Sequence, residues 1–134
     1  MSAVATVKPK VFEYAVEVDR AGRMTVPGGA QIAPAEGWSP DHLLLAALVR
    51  CSIDSLTYHA RRAGHAVAAS GSAHGTVTVR ETDGRYALAD ADVRIDAQLE
   101  PRAAESAELA ARAERDCFVG ASLTVTPRYE WHVS

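Results

Sequence analysis

A long helix that is apolar on every side of one stretch constrains this chain more than any other feature. It starts with strong signals, since Ser39 suits the N-cap, Pro40 the first helical position and Asp41 the positive end of the helix dipole. Gly64 suits the C-terminal end. Residues 43–49 are all apolar, and together they cover every side of the helix. The sequence therefore predicts a helix over residues 39–63, about 24 residues long, whose first half must be covered all round.

The rest of the chain predicts strands and one further helix. Alternating apolar residues and turn signals divide it into elements. The predicted strands are Val11–Asp19, a short one in residues 24–32 interrupted at Pro27-Gly28-Gly29, residues 65–80, residues 86–99 and residues 121–133, with turns at 20–23 and 81–84; the second helix covers residues 101–115. Ala89, Ala91, Val93, Ile95, Ala97 and Leu99 are predicted to share one face. Strands and two segregated helices indicate an α+β fold.

Length and charge limit the possible classes of protein. A chain of 134 residues suits a single domain over residues 1–134, with a loose N-terminal arm at 1–10. The net charge is −3 and no basic stripe is present, which argues against binding to nucleic acid. No apolar run approaches the ~20 residues that cross a bilayer. The N-terminus lacks a signal-peptide pattern, so we expect a cytoplasmic protein without membrane partners.

Two cysteines, Cys51 in the long helix and Cys117 after the second helix, are the only ones in the chain. Neither has a metal-ligand spacing, so we expect no metal and no bound cofactor. Two unrelated core cysteines are one interpretation, because free cysteine is often buried. The other is reversible peroxide chemistry, in which one sulfur attacks and a second condenses with the sulfenic acid.

Helix geometry restricts which groups can activate Cys51. The thiolate needs a nearby cation. Arg50 points about 100° away on the helix, so Arg20 and Arg23, in the turn after the first strand, are the better candidates. Asp41 lies ten residues before Cys51, or about 15 Å along the axis, and can reach the thiol only from a second subunit. The same reasoning excludes His42 and His59, at about 13 and 12 Å, as bases for Cys51 in the same chain.

Two segments resemble the motifs of the OsmC/Ohr family, the osmotically inducible and organic hydroperoxide resistance proteins. They are WSPDHLLLAALVRCSIDSLTYHARRAG and RDCFVGASLTV, and the resemblance extends over residues 11–133. It implies an intertwined homodimer of curved antiparallel sheets around a long central helix, with composite sites at the interface. It also implies that Cys51 is the peroxidatic and Cys117 the resolving cysteine. By the same resemblance, Asp41 holds an activating arginine, which Arg20 matches best and Arg23 second.

The resemblance predicts a peroxidase that reduces organic hydroperoxides to alcohols. Leu44 and Leu48 would form an apolar collar for the substrate, and an external dithiol, for which a lipoyl-type carrier is a candidate, would restore both thiols. Phe118 and Gly120 stand where the family usually has Pro and Ser. This departure motivates an alternative, a non-catalytic OsmC-like binding or stress protein. A hotdog-like thioesterase is a third hypothesis, suggested by a long helix against a curved sheet.

Overall fold

The computed structural model of the protein describes residues 9–33 and 36–134. These residues form two compact units, one ending at Trp38 and one covering Ser39–Ser134. The predicted arm at residues 1–10 lies outside the described residues except for positions 9 and 10. A single domain over the whole chain stays a prediction.

The N-terminal unit contains a small antiparallel sheet of three two-residue strands. They are β1 (Glu17–Val18), β2 (Met24–Thr25) and β3 (Gln31–Ile32), paired in the order β1-β2-β3. Asp19 organises the first turn, because its Oδ1 accepts hydrogen bonds from the backbone N–H groups of Ala21 and Arg23, both at 2.9 Å. The predicted turn at 20–23 and the interruption after Thr25 are both confirmed.

The predicted strand Val11–Asp19 is wrong over most of its length, because only Glu17 and Val18 are in a strand. Its apolar side chains are exposed instead, with Phe12 at 72% and Tyr14 at 90%. A strand needs a neighbour that accepts and donates its backbone hydrogen bonds. In the described part of the chain, β2 offers only two residues, so residues 11–16 remain unpaired.

The long helix is confirmed as α1 (Pro40–Arg62). Its N-terminus is closed reciprocally, since Ser39 Oγ accepts from the His42 N–H and His42 Nδ1 accepts from the Ser39 N–H. This is a capping box in which the histidine side chain accepts the hydrogen bond that Glu or Gln usually accepts at this position. Gly64 follows the end of the helix with φ at +92°, a conformation that glycine adopts without strain. No described helix is both long and apolar enough to span a membrane.

One face of α1 is buried within the single chain and another is not, so cover of residues 43–49 all round stays a prediction that needs a second chain. Leu48, Ser52, Leu56 and Ala60 are completely buried. Leu43 and Leu44 remain 36% and 39% exposed. Within the C-terminal unit, α1 packs against the sheet and against both α2 and α3, and these cover only part of its circumference.

The main sheet consists of β4 (Ala66–Val79), β5 (Tyr86–Glu100) and β6 (Arg128–Val133), in the order β4-β5-β6. The pair β4–β5 is antiparallel, but β5 and β6 are parallel. The expectation of purely antiparallel sheets is therefore wrong. The reason is the connection from β5 to β6, which holds α2 (Ser106–Arg115) and α3 (Phe118–Ser122) and is long enough for a parallel crossover.

The predicted alternation along β5 is confirmed for five of its six positions. Ala91, Val93, Ile95, Ala97 and Leu99 are buried. Ala89 is exposed because the register shifts there: Thr76 pairs with Asp90 and Val77 with Leu88, which leaves Ala89 as the extra residue of a bulge. Leu88 takes the place that Ala89 was predicted to fill and packs against the core.

Two other boundaries differ from the prediction. The helix α2 begins at Ser106 rather than at Pro101. In a longer helix the Pro101 carbonyl would accept a hydrogen bond from a later backbone N–H, but here it accepts one from the His65 ring N–H. The predicted strand over residues 121–133 begins only at Arg128, and the residues before it include the unpredicted helix α3. In α3, the Cys117 carbonyl accepts the Ala121 N–H, which closes a helical turn.

Candidate functional site

The fold brings Cys51 and Cys117 together. Both are free thiols, and both belong to the apolar cluster formed by Leu48, Ala91, Val93 and Ile95 beneath α1. The helix α1 carries Cys51, and the junction between α2 and α3 carries Cys117. The two thiols are close enough that each perturbs the ionisation of the other. They therefore form a pair, although 65 residues separate them in the sequence.

The two thiols differ in accessibility. Cys117 is 0% exposed. Cys51 is half-buried and lines a surface pocket of about 530 Å³ within the C-terminal unit. Because the pocket touches Cys51 and not Cys117, a small molecule that enters it meets Cys51 first.

The pocket combines apolar walls with one ion pair and one hydrogen bond between a histidine and an aspartate. Its lining residues are Ala47, Arg50, Cys51, Asp54, Ser55, Tyr58, His59, Asp116, Phe118 and Val119. Arg50 Nε lies 3.6 Å from Asp54 Oδ2 on the exposed side of α1. His59 Nε2 lies 2.8 Å from Asp116 Oδ2 and joins α1 to the end of α2. The pocket thus suits a ligand with an apolar part and some polar character.

The groups around Cys51 in this unit leave the pKa of its thiol above the usual value. Burial raises the pKa of the Cys51 thiol, and the neighbouring Cys117 raises it further. The backbone N–H groups of Val119 and Phe118 act in the opposite direction but do not cancel the effect of burial. A reactive thiolate at Cys51 therefore needs a cation in addition to these groups.

Cys117 sits in a hydrogen-bond network that favours its ionised form. Burial by itself would raise the pKa of Cys117, but hydrogen bonds from the Gly120 N–H, Ser52, Cys51 and Tyr129 together bring it below its usual value. Ser52 Oγ lies 3.6 Å from Cys117 Sγ and 3.0 Å from the Tyr129 hydroxyl. The buried thiol is thus the more acidic of the pair, while the accessible thiol is the less acidic.

The other predicted residues lie in the first turn of α1 and in the N-terminal unit. Asp41 lies exposed in the first turn of α1, ten residues before Cys51 and therefore about 15 Å from it along the helix. Arg20 and Arg23 are exposed in the turn after β1, in the N-terminal unit. Their approach to Cys51 stays a prediction.

The two leucines of the predicted substrate collar lie in different environments. Leu48 is completely buried in the apolar cluster, where its side chain packs against the core. Leu44 is 39% exposed on α1. Neither lines the pocket beside Cys51. A contact between either leucine and a substrate stays a prediction.

Sequence reasoning missed several residues of this site. Ser52 and Tyr129 approach Cys117 only because β6 pairs with β5 in a particular register, which no local pattern shows. Arg50 was set aside because of its direction on the helix, yet it lines the same pocket as Cys51. Arg50 and Asp54 lie four residues apart on α1, a spacing that places opposite charges within reach of each other.

One cluster on the sheet has the chemistry of a cation site. The ligand atoms of His74, Asp90 and Asp92 lie within 4.8 Å of one another. However, Arg128 already binds Asp92 through two hydrogen bonds, of 2.8 and 3.0 Å. The guanidinium supplies the positive charge that a metal ion would bring.

Comparison with known proteins identifies the family. The family model described as "OsmC-like protein" matches residues 33–132, which is most of the chain. The protein belongs to the OsmC-like family, as its two cysteine segments indicated. No curated protein matches the sequence.

Solved structures show the same fold at low sequence identity. An OsmC-like protein of unknown function from Vibrio cholerae is 15% identical with a TM-score of 0.75, covering 90% of this chain and 99% of that one. An OsmC-like protein from Mycoplasma pneumoniae is 16% identical with a TM-score of 0.70, covering 94% and 99%. The organic hydroperoxide resistance protein OhrB of Bacillus subtilis is 19% identical with a TM-score of 0.56, covering 91% and 96%.

Proposed function

We propose that this protein is a thiol-dependent peroxidase that reduces organic hydroperoxides to alcohols. The observation that carries the proposal is the pair formed by Cys51, which lines an open pocket, and Cys117, which is fully buried beside it. Membership of the OsmC-like family supports it, because several structural relatives are named organic hydroperoxide resistance proteins.

The difference in accessibility supports the roles proposed for the two thiols in this cycle. The Cys51 thiolate attacks the terminal oxygen of the hydroperoxide, the O–O bond breaks, and the alkoxide takes a proton and leaves as an alcohol. Cys51 becomes a sulfenic acid, and Cys117 condenses with it to a disulfide while water leaves. An external dithiol then reduces the disulfide by thiol–disulfide exchange and is itself oxidised.

The activating cation in this proposal is Arg20, with Arg23 as the alternative, and Asp41 of the second chain holds its guanidinium. Burial leaves Cys51 with a raised pKa, which the backbone N–H groups of Val119 and Phe118 lower only in part. The cycle therefore requires a cation that lowers this pKa further. A carboxylate and a guanidinium can form paired hydrogen bonds that fix the cation in place. Asp41 cannot reach Cys51 of its own chain, and this distance is why the proposal uses a homodimer.

The uncovered apolar side chains also support a homodimer. Leu43 and Leu44 on α1 are partly exposed, and a second copy of the chain would cover them. In the N-terminal unit, Val11, Phe12 and Tyr14 are exposed apolar side chains that precede the short strand β1. Association of two copies would remove this surface from water and stabilise the assembly.

A second candidate function is ligand binding without catalysis, in which the protein keeps the pocket but does not reduce peroxide. The observation that favours it is the raised pKa of Cys51, together with Phe118 in the pocket wall. A weakly acidic thiol reacts slowly with peroxide near neutral pH. Consumption of peroxide in the presence of a dithiol separates the two candidates.

The assigned roles predict that the two cysteine variants differ. Cys51→Ser should abolish reduction of tert-butyl hydroperoxide, because no accessible sulfur remains. Cys117→Ser should still consume about one equivalent and stop with Cys51 oxidised, since attack needs only the first sulfur. Peroxide loss and intact mass measure both outcomes. Equal behaviour of the two variants would refute the assignment.

A further inference from the structure

The hydroxyl groups of Ser52 and Tyr129 lie close to Cys117 and take no part in the proposed cycle. Ser52 is completely buried, and its Oγ lies 2.7 Å from the Leu48 carbonyl oxygen, 3.0 Å from the Tyr129 hydroxyl and 3.6 Å from Cys117 Sγ. The network therefore connects α1, β6 and the junction between α2 and α3. It places a polar chain inside the apolar cluster that holds both thiols.

The number of protons in this network limits how it can be arranged. A serine hydroxyl has one proton to donate and two lone pairs that accept. The Leu48 carbonyl only accepts, so the short contact with Ser52 uses the serine proton. Both lone pairs of Ser52 Oγ are then open to the Tyr129 O–H and the Cys117 S–H. This arrangement satisfies every member of the network while Cys117 is protonated.

We propose, on the basis of the peroxidase cycle above, that Ser52 and Tyr129 are positioning residues for the resolving step. When Cys117 gives up its proton, the Ser52 hydroxyl turns from the Leu48 carbonyl to the Cys117 sulfur and stabilises the thiolate. Tyr129 keeps its proton in both states and donates it to Ser52 Oγ or to the Cys117 sulfur. A single rotation of one side chain thus prepares the buried sulfur for attack on oxidised Cys51.

The step balances without an added reactant. The Cys117 thiolate attacks the sulfur of the Cys51 sulfenic acid, the S–S bond forms and the S–O bond breaks. The departing hydroxide takes the proton that Cys117 released and leaves as water. Ser52 and Tyr129 return to their starting arrangement, because neither gains or loses a proton over the step.

The groups around Cys117 are compatible with this role. Cys51 faces it from α1, and Tyr129 faces it from β6. Burial raises the pKa of the Tyr129 hydroxyl, so that it remains a proton donor near neutral pH. On α2, the Glu114 carboxylate accepts a hydrogen bond of 3.1 Å from the Trp131 indole. Asp116, which precedes Cys117, is paired with His59.

The first test measures the ionisation of Cys117 without any peroxide. In a Cys51→Ser background, the ultraviolet absorbance of the thiolate is followed against pH. Tyr129→Phe and Ser52→Ala should each raise the midpoint by about 0.5 to 1 pH unit, the effect of one ordinary hydrogen bond. Thr57→Val is the matched control, because Thr57 bonds the carbonyl four residues back, at 2.9 Å, on the same helix. Unchanged midpoints in both test variants would overturn the proposal.

The second test follows the reaction in chains that contain both cysteines. After rapid mixing with tert-butyl hydroperoxide, samples are trapped with dimedone, which captures the sulfenic acid, and analysed by mass. Tyr129→Phe should slow disulfide formation by about threefold to tenfold and leave sulfenic acid formation unchanged. An unchanged rate of disulfide formation would refute the role of Tyr129.

The two tests distinguish failure of this proposal from failure of the proposed function. If the wild-type protein does not react with peroxide, the peroxidase assignment fails, while the titration of Cys117 still decides whether the network acts on it. Tyr129→Phe keeps the aromatic ring and its stacking on Trp131, at 5.3 Å between centroids. This variant therefore tests the hydroxyl even if Ser52→Ala does not fold.

Discussion

Gly71→Ala tests how closely α1 approaches the sheet beneath the two thiols. A Cβ atom at this position would lie 2.7 Å from Ile95 Cδ1, 2.8 Å from the Arg94 carbonyl oxygen and 3.0 Å from Val49 Cγ1. Unbonded carbon atoms prefer about 3.5–4.0 Å. The Ile95 side chain can rotate, but the Arg94 carbonyl belongs to β5, which pairs with β4 at this point. The substitution must therefore strain either the strand pair or the contact between helix and sheet.

The expected cost follows from two opposing effects. Overpacking a close contact costs about 1–3 kcal/mol. Alanine offsets about 0.4–1 kcal/mol of this, because it reduces the freedom of the unfolded chain. From the middle of each range, the net loss in the free energy of unfolding is about 1–2 kcal/mol. For 134 residues, the unfolding entropy is about 0.3 kcal/mol/K, so Tm should fall by about 4–7 °C.

Thermal unfolding followed by circular dichroism, at a fixed protein concentration, measures this effect. Ser72→Ala is the control, because Ser72 is exposed on the same strand and the change removes an atom instead of adding one. We expect its Tm to stay close to that of the wild-type protein. A Tm for Gly71→Ala equal to or above the wild-type value would refute the close approach of α1 to β4.

Three further predictions concern the proposed site and its assembly. Light scattering at micromolar concentration should give a particle of twice the 14.2 kDa chain mass, and a single-chain particle would contradict the homodimer. Leu44→Asp should weaken that dimer at least about tenfold, since a charge would enter an apolar interface, and sedimentation against concentration measures it. Arg20→Met should shift the alkylation profile of Cys51 about one to three pH units upward, because the lost cation no longer opposes the raised pKa that burial causes. Arg23→Met should leave the profile nearly unchanged, and identical profiles for all three proteins would place the activating cation elsewhere, with Arg50 the next to test.

Elements with local signals were predictable from the sequence. Ser39, Pro40 and Gly64 fixed the ends of α1 within a residue, because capping and backbone conformation depend on nearby residues alone. The turn at residues 81–84 and the buried positions from Ala91 to Leu99 followed in the same way from turn chemistry and alternation.

Features that depend on distant partners were not predictable. Residues 11–16 alternate like a strand, yet pairing is decided by a neighbour that the pattern does not contain. The parallel pairing of β6 depends on the crossover through α2 and α3, and a helix as short as Phe118–Ser122 has almost no periodic signal. Ser52 and Tyr129 meet at Cys117 through the same pairing, so this part of the site was visible only in three dimensions.

The most direct test of the account is the state of the two sulfurs after one oxidation. The reduced protein is treated with a stoichiometric amount of tert-butyl hydroperoxide, digested without reductant and analysed by mass spectrometry. The account predicts a peptide pair joined by a Cys51–Cys117 disulfide, one equivalent of alcohol and full recovery of both thiols with a dithiol. Two thiols that remain reduced while the peroxide persists would contradict it.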